Sequence, residues 1–196
     1  MKPFLGVCTA LLAAVGSFGQ AVHLKVTLLE SKTQSRPNEE RKFLGLPGSY
    51  SKVFEREDVL SVTVRNMAPI TFDYTVEWMF FAAPVSGGKP EPFHAEEKKI
   101  SLAKGEATTF EIRSPKVSYT HTHLSLPLRT DQNIFEGKKY AGYVVRVRID
   151  DKVLAVESSD QSWKREFQNP KAKWGVSKDA AEDQPPVPKG KKKADR

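Results

Sequence analysis

Cysteine is nearly absent from this sequence. Its 196 residues include one, Cys8, inside an apolar N-terminal run. A chain cut after that run has no cysteine left. That excludes a disulfide framework, a thiol nucleophile and cysteine-ligated zinc or iron–sulfur centres. No small-residue box places Cys8 at a cleavage site, so it does not read as a lipoprotein cysteine. Long hydrophobic runs are missing too. Phe4 to Val15 is interrupted by Gly6 and Thr9, and falls short of the roughly 20 apolar residues that a membrane-spanning helix needs. Catalytic signatures are also lacking. There is no Gly-x-Ser-x-Gly elbow, and Gly87-Gly88 lacks the Gly-Lys-Ser/Thr ending of a phosphate loop. The carboxylate pairs Glu96-Glu97 and Asp150-Asp151 fall in predicted connections among basic neighbours. They read as solvated turns rather than an acid–base pair held at fixed separation.

What is present begins with a leader. Lys2 supplies a positive start, Phe4 to Val15 the apolar run, and Gly16, Ser17, Gly19 and Ala21 a small-residue exit. This predicts a signal peptide over residues 1–21, cleaved after Gly19 or Ala21, and an exported protein of the periplasm or cell surface. An uncleaved anchor is the alternative. The formal net charge is +7, but much of the excess sits at the C-terminus. Lys189, Lys191, Lys192, Lys193 and Arg196 face only Asp195 there. The body is therefore only mildly basic, and no specific nucleic-acid binding is expected of it. The tail itself is suited to an anionic surface.

The length of the remaining chain suits one domain with a real core. Its organising stretch is Ile70 to Phe80. Ile70, Phe72, Tyr74, Val76, Trp78 and Phe80 are apolar, and between them stand Thr71, Asp73, Thr75 and Glu77, the period-2 pattern of a strand with one buried face. Val22, Leu24, Val26 and Leu28 alternate likewise, leaving His23 on the polar side. Leu60, Val62 and Val64 form another strand, turned by Asn66 to Pro69 directly into the organising strand as its antiparallel neighbour. Ser51 to Phe54 reads as a short edge strand. Ile100 and Leu102, a turn at Lys104-Gly105, and Thr108, Phe110 and Ile112 read as a hairpin. Tyr143, Val145, Val147 and Ile149 face inward with Arg146 and Arg148 outward. Asp150-Asp151 turns the chain into a last strand, Val153 to Val156, and this pair is expected to cover the organising ridge from a second sheet. Ser31 to Tyr50, with Phe43 and Leu44 tucked back, Ala83 to Pro92 and Ser114 to Lys138 read as long connections.

The run Ile-Ser-Leu-Ala-Lys-Gly-Glu-Ala-Thr-Thr-Phe-Glu-Ile at residues 100 to 112 resembles the hairpin of bacterial secreted immunoglobulin-like domains, such as those related to fibronectin type III and to the cell-adhesion-related domain. In these a Leu, a turn Gly and a Phe recur at this spacing. The resemblance implies an all-β, immunoglobulin-like antiparallel β-sandwich of about seven strands over residues 22–158. Two features depart from that pattern: there is no inter-sheet disulfide, and the loops after Glu30 and Ser114 are long.

Residues 159–176 form an aromatic-basic closing segment. Trp163 and Phe167, four apart, share one face of a short helix capped by Asp160 or Ser162. Residues 177–196 read as a disordered basic tail, with a short PxxP run at Pro185 to Pro188.

Three candidate sites follow. Trp163, Trp174, Arg165 and Tyr119 are candidates for stacking sugars, against the plainer reading that the tryptophans close the fold. His121-Thr122-His123 projects two imidazoles to one side of an extended strand, with His94 or Asp131 as a third metal ligand. Surface histidines are the plainer reading there. Lys189, Lys191, Lys192 and Lys193 are an electrostatic attachment. The expected function is an exported, non-enzymatic structural or interaction module of the bacterial cell envelope, with no cofactor. Its partner would be an envelope protein or polysaccharide, and no transmembrane span would remain after signal cleavage. The alternatives are a carbohydrate-binding module using the C-terminal aromatics, and a metal-dependent enzyme or metal carrier at His121 and His123.

Overall fold

The structure, a computed structural model, describes residues 21–38, 48–126 and 130–175. Residues 1–20 of the leader, Phe43 and Leu44, and the basic tail with Lys189, Lys191, Lys192 and Lys193 lie outside the described residues. No helix among the described residues is long and apolar enough to cross a membrane.

The described chain is all-β apart from one short helix. Its strands are β1 (Val22–Pro37), β2 (Tyr50–Asn66), β3 (Phe72–Pro84), β4 (Glu91–Leu102), β5 (Ala107–Arg113), β6 (Val117–Leu124), β7 (Gln132–Ile149) and β8 (Lys152–Ser158), followed by α1 (Gln161–Phe167). Every pairing is antiparallel. The strand order is β1-β2-β6-β7-β3-β4, with β5 also on β2 and β8 also on β7. The sheet does not close. It folds over at β7, whose residues 132–137 pair with β6 while residues 138–148 pair with β3. Gly137 sits at that change of partner with φ 104°. A Cβ there would stand 2.8 Å from the Ser118 carbonyl oxygen, so only glycine fits.

The fold-over brings two layers face to face. Val22, Leu24, Leu60, Val62, Val64 and Ile112 from one meet Tyr74, Val76, Trp78, Phe80, Leu102, Val145 and Val147 from the other. The organising ridge is therefore core, from Tyr74 to Phe80. Each fully buried side chain of this size stabilises the fold by about 1.5–3 kcal/mol.

Several expectations fail because alternation identifies a buried face without identifying the partner strand. The ridge strand starts at Phe72, and Ile70 is 58% exposed in the preceding crossing. β2 and β3 are not neighbours: the former pairs with β1, β5 and β6, the latter with β4 and β7. The chain crosses between layers at residues 67–71, held by Asn66. This fully buried amide donates to the carbonyls of Ile70 (2.7 Å) and Leu102 (2.9 Å), and accepts from the Ala68 N–H and the Tyr74 hydroxyl (2.8 Å each). The expected hairpin at residues 100–112 is likewise a crossing, since β4 pairs with β3 and β5 with β2. Its turn survives: Gly105 has φ 75°, and its N–H donates to the Asn66 carbonyl at 3.0 Å. β7 and β8 do not cover the ridge from the opposite layer, because β7 is hydrogen-bonded directly beside β3. Two expected connections hold strand: Ser31 to Pro37 continues β1, and Ser114 to Lys138 contains β6 and the start of β7, while Ser51 to Phe54, expected as a short edge strand, lies inside the long β2. Glu96 and Glu97 lie within β4 rather than in a turn.

The outer face of the second layer is not wet along its length either. Met79, Phe81, Val144 and Val156 are buried beneath Phe167 of α1. Arg146, expected outside, is 5% exposed and ion-paired to the buried carboxylate of Glu77, which also meets Arg148 at 3.0 Å.

Candidate functional site

β2 carries its period-2 pattern past the core. Leu60, Val62 and Val64 line the interior, and in the same phase the strand continues outward through Asp58, Arg56, Phe54, Lys52 and Tyr50. A polar cluster marks the boundary. The Arg56 guanidinium donates to both oxygens of the buried Asp58 carboxylate, at 2.9 and 3.1 Å, and the Ser31 hydroxyl donates to the same carboxylate at 2.7 Å. That hydrogen-bonded ion pair holds the guanidinium above its ordinary pKa. Tyr140 lies against it, 5.0 Å from Arg56. Burial, and then the negative charge of Asp58, push its hydroxyl strongly up, so it stays neutral.

Beyond this boundary, β1, β2, β6 and the start of β7 form an extension whose residues enter neither core cluster. Register decides what shares its inner face. Tyr50 stands opposite His123, Lys52 opposite His121 and Phe54 opposite Tyr119, while His121 stands opposite Phe135 and His123 opposite Asn133. Directly opposed residues in an antiparallel pair point to the same side. The result is a continuous aromatic and imidazole surface. Phe54 and Tyr119 stack at 5.0 Å, Tyr50 and His123 at 5.2 Å, and His121 and Phe135 at 4.5 Å, with Tyr50 edge-on to His121 at 5.7 Å. Such pairs stabilise by about 0.5–1.5 kcal/mol each beyond area burial, which supports an extension whose described residues join neither core cluster.

Both histidines point at one oxygen. His121 Nε2 lies 2.9 Å and His123 Nδ1 3.2 Å from Asn133 Oδ1, and His123 Nε2 lies 3.6 Å from Asp131. Asn133 is an amide, so the shared oxygen is a hydrogen-bond acceptor for ring N–H groups and a weak metal ligand at best. His94 does not join them. It lies on β4, stacked on Phe80 and paired with Glu96. Among the described residues, no three His, Cys, Asp or Glu side chains come together to hold an ion.

The other predicted binding residues part company. Tyr119 belongs to the aromatic face just described. Trp163 and Trp174 instead pack on the outer side of the second layer. The Trp163 ring stacks on Phe81 at 4.2 Å. Trp174 is edge-on to Phe167 at 5.5 Å, and its ring lies 3.9 Å from the Arg146 guanidinium. Asp160 caps α1 by accepting from the Ser162 N–H at 2.7 Å. Arg165 is exposed on the helix, away from Tyr119. A cleft of about 590 Å³ also opens on the outer side of the second layer, among Asp73, Thr75, Glu97, Lys99, Arg148 and Asp150. Of its two cations, Lys99 and Arg148, the latter is engaged with Glu77 and Glu97.

Sequence reasoning missed Tyr50, Lys52, Phe54, Asn133 and Phe135. A signal existed: Tyr50, Lys52 and Phe54 alternate in phase with Leu60, Val62 and Val64. The intervening Arg56 and Asp58 broke the apolar rhythm and hid the continuity.

No protein-family model matches the chain, and no curated protein matches it. Among solved structures, a protein from Akkermansia muciniphila aligns at 12% identity and a TM-score of 0.25, covering 74% of this chain and 75% of the other. A β-glucosidase from Kluyveromyces marxianus aligns at 15% identity and a TM-score of 0.30, covering 70% of this chain and 13% of the enzyme. A Pseudomonas fluorescens alkylpurine DNA glycosylase bound to DNA aligns at 18% identity and a TM-score of 0.29, covering 52% of this chain and 24% of the enzyme. The chain thus spans only a small part of these two enzymes. Likeness at this level carries no argument about activity.

Proposed function

We propose that the chain is an exported, non-enzymatic interaction module of the bacterial cell envelope, whose working surface is the aromatic–imidazole face of β2, β6 and β7. One observation carries this reading. Tyr50 and Phe135 are 43% and 45% exposed at the two ends of a row of rings that the core does not use, and contiguous exposed aromatic surface marks interaction sites. The fold assignment that goes with it is an immunoglobulin-like sandwich. It is supported by two antiparallel layers over one core, with the departure that β7 runs through both. The leader supports export, and the cations Lys189, Lys191, Lys192 and Lys193 support a second, salt-sensitive attachment to an anionic surface.

The test is retention of the mature protein on isolated envelope, with and without residues 184–196 and with Phe135→Ala or Tyr50→Ala. Salt-resistant retention that needs both rings supports the reading. Retention indifferent to both rings removes the site, and a reproducible hydrolase activity lost on changing one polar residue removes the non-enzymatic assignment.

A further inference from the structure

We infer that the aromatic face of the extension takes an acidic polysaccharide, one whose sugar rings carry carboxylate or sulfate groups. The inference rests on the interaction-module reading and adds the chemistry of the partner.

Charge is segregated across the extension. Glu55, Glu57 and Glu136 all point to the opposite face by register, where Glu55 meets Arg36 and Lys116. Of the two described carboxylates on the aromatic side, Asp58 is buried against Arg56, and Asp131, half-exposed, stands at the edge of the face 3.6 Å from His123. Lys52 is the cation left over. Its ammonium lies 5.4 Å from the Tyr50 ring centroid and makes no ion pair among the described residues. The face therefore offers ring surfaces, imidazole and amide hydrogen-bonding groups, and a cation, Lys52, that no described carboxylate pairs with.

That combination discriminates between partners. The C–H face of a pyranose packs on Tyr and Phe rings, its hydroxyls meet Asn133 and the imidazoles, and its acidic group meets Lys52 in a charge-assisted contact. The exposed rings stand at opposite ends of the row, with His121 between them at 5.7 and 4.5 Å, which suits consecutive sugars of a chain. An apolar protein surface would bury the Lys52 ammonium without a partner, at a desolvation cost. A single-stranded nucleic acid offers bases to stack, but its regular phosphates call for a groove of cations rather than one.

The experiment measures binding of the full mature chain to polygalacturonate and heparin, to neutral dextran, and to poly(dT), at low and high salt. Wild type is compared with Tyr50→Ala, Phe135→Ala, Lys52→Gln and, on the opposite face, Ile134→Ala, with the melting temperature checking each fold. The expected result is binding to an acidic glycan over dextran, about tenfold or more weaker in either ring variant. Lys52→Gln should erase the preference for acidic over neutral glycan, and Ile134→Ala should change nothing. Equal binding to dextran, preferential binding to poly(dT), no binding to either acidic glycan, or acidic-glycan binding that salt abolishes and the ring variants leave intact would each overturn the inference. Envelope retention of the same variants separates the two levels. If it still needs Tyr50 and Phe135 while glycan binding fails, the module stands and its partner is a protein.

Discussion

Replacing Asn66 with alanine should loosen the whole fold, because this one side chain fastens both layer crossings. The change removes an amide that is fully buried and engaged at every polar atom. It strips a partner from the carbonyls of Ile70 and Leu102, from the Ala68 N–H and from the Tyr74 hydroxyl. A buried polar group left unsatisfied costs about 1–3 kcal/mol. The Ile70 carbonyl lies at the partly exposed crossing and can turn to water, so the expected loss is about 3–5 kcal/mol, at the high end for single substitutions. Urea denaturation followed by Trp fluorescence measures it, with an unchanged m-value confirming that the same surface unfolds. Tyr74→Phe removes one of the four contacts at the other end. The double variant should therefore lose less than the sum of the two singles, by about 1 kcal/mol. A loss below about 1 kcal/mol for Asn66→Ala, or strict additivity with Tyr74→Phe, would refute the claim that the amide network holds the crossings.

Trp163→Ala should lower stability by about 2–4 kcal/mol, through the void left against Phe81, and the melting temperature reads it directly; an unchanged melting temperature would return this ring to the pool of ligand-binding candidates. Arg146→Met leaves the buried Glu77 carboxylate with Arg148 alone and should cost about 3–5 kcal/mol, whereas Glu77→Gln with Arg146→Met together should cost less than Arg146→Met, as chemical denaturation will show. Hydrogen bonds from the Ser162 hydroxyl and N–H hold the Asp160 carboxyl below its ordinary range. A depressed carboxyl contributes stability above its unfolded pKa and loses it as pH falls through the folded value. Amide exchange in α1 should therefore speed up on acidification, and Asp160→Asn should flatten that dependence.

Much of the architecture was legible in local pattern. Alternation identified the buried edge of β3 from Tyr74 to Phe80, the inward residues Val145 and Val147, and the glycine turn at Gly105. The capped helix bearing Trp163 and Phe167 followed from spacing and from one carboxylate at its start. Alternation also pointed His121 and His123 to one side. These are properties of a few adjacent residues, which is why the sequence by itself determined them.

Partnership was a different matter. Nothing in residues 64 to 74 or 100 to 112 distinguishes a hairpin from a crossing, because both need a turn between two alternating runs. The choice rests on Asn66, whose hydrogen bonds to the Leu102 carbonyl and the Tyr74 hydroxyl exist only once both layers are in place. Polar Ser31 to Pro37 and Ser118 to His123 carry no apolar rhythm and join neither core cluster, so strand formation there depends on pairing, with β2 for the first and with β2 and β7 for the second. The aromatic face is the strongest case. Tyr50, Phe54, Tyr119, His121 and Phe135 come from three separate strands and are ordinary surface residues one by one. Register alone sets their rings side by side, and register is settled by long-range pairing of the whole sheet.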